Sequence, residues 1–310
     1  MTESNAAARP LSRGILPKRI LVPIVVVLVL FFVALGFPWD SLARRVAWEI
    51  SEASGSRVSI DELLPAWTAR GPVLRARDVS IEHPALDHVR LSQLELAPRW
   101  SRSWLGGDPT LRIWAESDLG LVDGVLELGP TPGFVGRVRE VELARVPLRL
   151  EASDVRISGR LDAETDVALD RQGTLHGRVD FSSPSLRIES DRLPMAIPFK
   201  RAEGTLEILE NGATRIERAA FEGEIIEGEL SGEIGLVHHS QPPPVDLDAD
   251  ARLLHPLLRQ LAPGAGIPVG ADGSVTVHVS GTLDTPAISP RSDGRRVGRH
   301  SAESPARSRP

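Results

Sequence analysis

Residues Gly228–Leu236 read GELSGEIGL, and residues Ser274–Ile288 read SVTVHVSGTLDTPAI. In the first run Gly228, Leu230, Gly232, Ile234 and Leu236 fall on one side of a period-two pattern, with Glu229, Ser231 and Glu233 on the other. In the second, Val275, Val277, Val279, Gly281 and Leu283 alternate with Thr276, His278, Ser280 and Thr282. Successive side chains of a strand point to opposite faces, so each run predicts a strand with one apolar and one polar face. Glycine at an apolar position leaves that face smooth and lets the sheet bend.

The same period extends outward in both directions. Val58 and Ile60 start a strand; Val73–Ile81 and Val89–Leu96 give two more. Leu111, Ile113 and Ala115 alternate, as do Leu148, Leu150 and Ala152, then Val155, Ile157, Gly159 and Leu161. Leu175, Gly177, Val179 and Phe181 follow, and Leu206 and Ile208 precede an Asn211-Gly212 hairpin turn. About a dozen strands at spacings of roughly 10–15 residues result.

Two stretches carry a helical period instead. Asp40–Ser54 places Leu42, Val46 and Ile50 on one stripe, with Asp40 as N-cap and Gly55 as stop. Trp39 and Trp48 on this helix suit either a membrane interface or packing beneath a sheet edge. Ala251–Ala262 (ARLLHPLLRQLA) has a dense apolar stripe, and His255-Pro256 within it predicts a short or broken helix. Pro242-Pro243-Pro244 forms a stiff connector upstream.

The N-terminus is of another kind. Ile20–Phe37 (ILVPIVVVLVLFFVALGF) is eighteen residues without a charge, a span of roughly 27 Å as a helix against a hydrocarbon core of about 30 Å. Arg9, Arg13, Lys18 and Arg19 precede it, which places residues 1–19 in the cytoplasm and the body across the membrane. The competing expectation is a cleaved secretory signal with Ala34-Leu35-Gly36 at the cleavage site, although this run exceeds the usual apolar length of such signals. The expected organisation is therefore a basic segment at 1–19, a transmembrane anchor at 20–37, a β-rich body at 38–288 and a disordered Arg-rich tail at 289–310. The expected fold class is mainly β: a transmembrane helix followed by an elongated antiparallel β-sheet or groove domain with one or two short helices.

Composition narrows the chemistry. The chain has 310 residues, 4% of them aromatic, and no tyrosine, so small aliphatic side chains must fill its layers. Between Pro38 and Ile288 lie 26 basic and 39 acidic residues, a net charge of −13, which disfavours nucleic acid as a partner. The absence of cysteine excludes disulfides and thiolate sites.

No site residues for catalysis, cofactor or metal emerge. His238-His239 reads as a solvated turn and the scattered histidines form no ligand spacing. Asp246, Asp248 and Asp250 open like a calcium loop, but Ala251 and Leu257 stand where that loop needs glycine and glutamate. Alternating acids on the solvent face of a strand explain these three, and likewise Glu222 with Glu224 and Glu227 with Glu229. Gly264, Gly266 and Gly270 follow a helix where a dinucleotide fingerprint must follow a strand, so they read as a loop. No nucleophile–base pair is present, and the expectation is a non-enzymatic protein without cofactor.

Three segments together carry a family resemblance. They are FPWDSLARRVAWEISEASGSRVSIDELLPAW (37–67) leading through Gly71 into VLRARDVSI; the glycine-punctuated GELSGEIGL with a short helical segment after it; and SVTVHVSGTLDTPAI, with the spacing G-T-L-x-x-P-x-I. In these the chain resembles the type II secretion system protein N family, related to the AsmA-like envelope proteins, over roughly residues 20–288. The Arg-rich tail lies outside that pattern. The resemblance implies a single-pass, bacterial inner-membrane component with a periplasmic body, acting in protein secretion through contacts with other secretion-system subunits. The AsmA-like relation implies the alternative, a curved β groove that binds or transfers lipid between the two membranes.

Overall fold

The computed structural model describes residues 37–291 apart from 55, 69–70, 84–85, 100–105, 147–154, 171–172, 191–194, 237–241 and 283–284. It opens with α1 (Trp39–Ser54), followed by β1 (Arg57–Thr68), β2 (Gly71–His83), β3 (Leu86–Pro98), β4 (Thr110–Ser117), β5 (Leu121–Glu127) and β6 (Gly133–Glu142). Then come β7 (Val155–Leu169), β8 (Leu175–Ser190), β9 (Ile197–Ile208), β10 (Thr214–Gly223), β11 (Ile226–Ile234) and β12 (Pro244–Leu253). After α2 (Pro256–Leu261) the chain finishes with β13 (Ser274–Thr282) and β14 (Pro286–Pro290). The fold is mainly β, as the period-two runs require, with two short helices.

All fourteen strands belong to one antiparallel sheet whose spatial order is the sequence order. Every strand pairs with its chain neighbours, the longest connection being residues 254–273 between β12 and β13, which carries the second helix, and β1 and β14 are the two edges. Neighbouring strands rotate by about 20–25°, so an open sheet this wide winds rather than lying flat. At Gly177 and Gly232 the backbone takes φ of 145° and 141°, and a Cβ would sit 2.2 Å from the carbonyl oxygens of Asp166 and Asp246 on the adjacent strands. Only glycine fits there.

Both edges are blunted. Arg291 N–H donates to Thr276 O at 3.3 Å. By alternation the amides at 286, 288 and 290 face away from the sheet, and two of those positions are proline. At the other edge the Val58 N–H donates to Ser51 Oγ of α1 at 2.9 Å. An edge with few free donors resists pairing with a further strand.

Several expectations are corrected in detail. The buried stripe of α1 is Ala43 and Ala47, with Leu42 and Val46 only half-buried, because alanine lets the helix approach the sheet closely. Ala251–Leu253 belongs to β12. The helix starts at Pro256 in its first turn, with His255 as N-cap accepting from the Leu257 amide at 3.2 Å, since proline is tolerated there and not in a helix interior. The last strand runs on to Pro290, two residues into the segment expected to be disordered. The segments 1–36 and 292–310, the expected strand at Leu148–Ala152 and His238-His239 lie outside the described residues. No helix among the described residues is long and apolar enough to cross a membrane.

Candidate functional site

Paired residues of an antiparallel ladder share a face, so the register assigns every side chain. One row runs Leu94, Ala115, Val122, Val138, Ala163, Phe181, Gly204, Ala219, Leu230, Ala249, Val277 and Pro290, through consecutive pairings from β3 to β14. A parallel row runs Val167, Gly177, Ile208, Thr214, Ile234, Val245 and Gly281. A third carries Ala202, Phe221, Gly228, Ala251 and Val275. No charged residue falls in any of these rows.

The strands thus merge into one continuous apolar face. Phe134, Phe181, Phe199 and Phe221 all lie on it, within β6 to β10. Phe199 and Phe221 meet edge-to-face at 5.4 Å. The Phe134 ring lies over Gly124 and Gly136, where an added Cβ would come within 2.5 Å and 2.4 Å of it. Glycine here makes room for the ring to lie flat on the sheet.

What covers this face differs along its length. Over β1–β3, α1 lies on it, and Ala43, Ala47, Val58, Leu63, Ala76 and Val79 form a buried cluster. Small buried groups recur near Phe199, Ala202 and Ile216, and near Val245, Leu253 and Val275. From β5 to β8 no apolar side chain among the described residues is buried. Ser183 is the only side chain described as fully buried, its hydroxyl donating toward the carbonyls of Arg160 (2.5 Å) and Ser185 (3.0 Å).

The opposite face is a lattice of ion pairs. Arg75 meets Glu95 at 2.6 Å, Arg137 meets Glu164 at 3.0 Å, Arg201 meets Glu203 at 2.6 Å and Arg215 meets Glu207 at 3.2 Å. Arg178 bridges Asp180 and Glu217, both at 3.3 Å. The Thr205 hydroxyl donates to Asp180 at 2.5 Å, and this bond, with Arg178 beside it, holds the Asp180 carboxyl below the usual carboxylate range. The Arg178 guanidinium is raised, chiefly by its hydrogen bond to Asp180. Apart from the half-buried Arg75–Glu95 pair these groups are exposed, and such exposed pairs contribute little each while keeping this face wet.

The residues weighed in the sequence fall on this polar side. Asp246, Asp248 and Asp250 alternate along β12, Asp248 beside His278 (3.1 Å) and Arg291 (3.4 Å). Glu229 pairs with Arg218, Glu227 approaches Arg252 at 3.9 Å, and Glu224 pairs with Lys200 at 2.8 Å. Glu222 lies near the end of β10. Gly264, Gly266 and Gly270 sit in the connection from α2 to β13. Among the described residues no three His, Asp or Glu side chains converge as a metal site. A depression of about 780 Å³ beside the β7–β8 and β9–β10 turns is lined by Asp166, His176, Arg178, Glu207 and Glu217, but its arginine is already shared between carboxylates.

The sequence reading did not single out β5, β6, β10 or β14 as strands. Gly124 and Gly136 occupy apolar positions of β5 and β6, and a register shift between Ile216 and Ala219 breaks the period of β10. Leu230 and Val277, expected on apolar faces, are there, sharing a row through Ala249. Comparison with protein-family models, with curated proteins and with solved structures finds no match for this chain.

Proposed function

We propose that the body is a lipid-handling β track: a membrane-anchored, non-enzymatic sheet whose apolar face holds hydrocarbon chains and lets them pass along it. The observation that carries this is the uncharged face that continues beyond the helix and has no buried apolar side chain from β5 to β8. From β4 to β14 it extends about 50 Å across the strands and about 25 Å along them. The part of it without a buried apolar side chain, β5–β8, covers on the order of 500 Å², at the upper end of the few hundred Å² of apolar patch that a soluble monomer usually shows. A protein that exposes so much apolar surface to water aggregates unless something apolar occupies it. The length favours a track over a single-ligand pocket, since it exceeds a bilayer's hydrocarbon core of about 30 Å.

The uncharged run at 20–37 and the basic residues before it support a bacterial inner-membrane anchor with a periplasmic body. In that setting the nearest apolar occupant in quantity is membrane lipid. The ion-paired reverse face would stay in water while the track is loaded.

A second reading keeps the body as a periplasmic component of the type II secretion system, acting through protein contacts. Beside the three resembling segments, Trp67 favours it. This residue ends β1 on the apolar side, pairs across with Pro72, and is 81% exposed. Buried indoles are frequent anchors of protein interfaces.

One experiment separates the two. A photo-crosslinking residue at Leu230, and separately at Val277, is irradiated in living cells. Adducts of lipid mass are expected at both. An adduct to another envelope protein at these positions, without lipid, supports the secretion reading. No adduct at either position refutes the lipid track.

A further inference from the structure

Helix α1 presents two faces. Ala43 and Ala47, with Leu42 beside them, lie on the sheet. Ser41, Arg44, Arg45, Trp48 and Glu52 are all exposed, and at 3.6 residues per turn they share about 100° of arc on the side away from those alanines. Trp48 is 52% exposed. The Arg45 guanidinium lies over its ring, 4.8 Å from the centroid. At the start of the helix the rings of Phe37 and Trp39 pack together at 4.6 Å, and Phe37 is itself 41% exposed.

The sequence left open whether Trp48 sits at a membrane interface or beneath a sheet edge. The fold removes the second option, because the sheet lies on the other side of the helix. What remains is a large indole with an arginine on it, facing away from the rest of the fold. The chain before it decides the occupant. The eighteen-residue apolar run ends at Phe37, the residue before Pro38 and α1. At 1.5 Å per residue Trp48 is then within about 17 Å of the end of that run. Indoles and arginines are enriched at the depth of lipid headgroups.

We propose that the outward face of α1 rests on the bilayer surface, so that the helix is held between the headgroups and β1–β3. This rests on the reading of residues 20–37 as a membrane anchor. It sets the first strands about one helix diameter, roughly 10–12 Å, from the bilayer, with the stretch that has no buried apolar side chain starting close by at β5. Arg44 and Arg45 are outnumbered by Asp40, Glu49 and Glu52 on the same helix, so ring burial rather than charge attraction holds the contact. It therefore survives high salt.

The chain has no cysteine, which permits single spin labels on the full-length protein. Labels at Ser41→Cys and Glu52→Cys, with Ser231→Cys on the polar face of β11 as the aqueous reference, are read in vesicles of phosphatidylethanolamine and phosphatidylglycerol. The expected result is a several-fold higher ratio of oxygen to nickel-chelate collisions at 41 and 52 than at 231. The ratio should be unchanged in molar salt and reduced when Trp48→Ser is added. If the protein floats with the vesicles and all three labels report water, the docking of α1 is refuted while the anchor stands. A protein that does not float with the vesicles refutes both.

Discussion

Strands β1–β3 and strands β5–β8 are built on the same pattern and end in different physical states. In the first group the apolar positions meet a helix, and Val58, Leu63, Ala76 and Val79 are buried against Ala43 and Ala47. In the second, Val122, Val138, Val167 and Val179 occupy equivalent positions in the ladder and stay partly exposed. The alternation thus specifies that a strand has an apolar face, and the neighbouring layer decides whether that face becomes core. Where the layer is missing, the strands are held by their own ladders, among which β7 and β8 are the longest at 15 and 16 residues. The apolar surface that a two-layer fold would bury is left partly exposed.

This contrast can be broken most severely at the covered end. Leu63→Asp puts an unpaired carboxylate into the helix–sheet core and should cost upwards of about 3 kcal/mol, enough to unfold β1–β3. Proteolysis should then cut that end first, and a protease-resistant variant would show that α1 is not structural cover. Next in size is Gly232→Val, where φ is 141° and a Cβ meets the Asp246 carbonyl oxygen at 2.2 Å. The expected loss is about 2–4 kcal/mol, measured as a lower denaturant midpoint.

The comparison is sharpened by matched truncations. Leu63→Ala should cost about 2–5 kcal/mol, whereas Val179→Ala on the open stretch should cost under about 1 kcal/mol in lipid-free protein. Val179→Lys should leave the lipid-free fold in place, as judged by circular dichroism, and lower the amount of co-purifying lipid. Equal stability losses at 63 and 179 would mean that the middle strands are covered after all.

The smallest effect is that of pH. The Asp180, Glu224 and Asp272 carboxyls are held low, by Thr205, Lys200 and Ser274 respectively. A depressed carboxylate stabilises the fold above its unfolded pKa, about 3.9–4.3, and loses that contribution as pH falls through its folded value. Stability should therefore be flat near neutral pH and decline only under acid, by a small amount because these groups are exposed. Carboxyl chemical shifts followed through an acid titration would check this.

Much of the fold was legible in the chain. GELSGEIGL falls in β11 and SVTVHVSGTLDTPAI in β13 and the start of β14, with the expected residues on the apolar face, and Asn211-Gly212 makes the turn from β9 to β10, closed by a bond from the Ala213 amide to Asn211 Oδ1 at 3.0 Å. Strands β5, β6 and β10 were hidden because glycines and a bulge blur a pattern that is read from side-chain hydrophobicity alone. Periodicity fixed the helical character of α1 but placed its buried stripe one residue off, since pattern scoring favours leucine and valine over the alanines that permit close packing. The candidate site was not legible as residues, because no single side chain defines it. It exists only once fourteen apolar half-faces are set edge to edge.

The sequence by itself determined the local geometry: which residues alternate, where the chain turns, that the body is acidic, and that the segment before it is long and uncharged. Those properties depend on neighbours two to four residues apart. The tertiary structure alone decided that all the strands join one sheet in chain order, that α1 covers β1–β3, and that among the described residues no apolar side chain of β5–β8 is buried. Burial is set by contacts between residues far apart in the chain, and the same alternating pattern serves equally for a packed core and for a surface that awaits a partner.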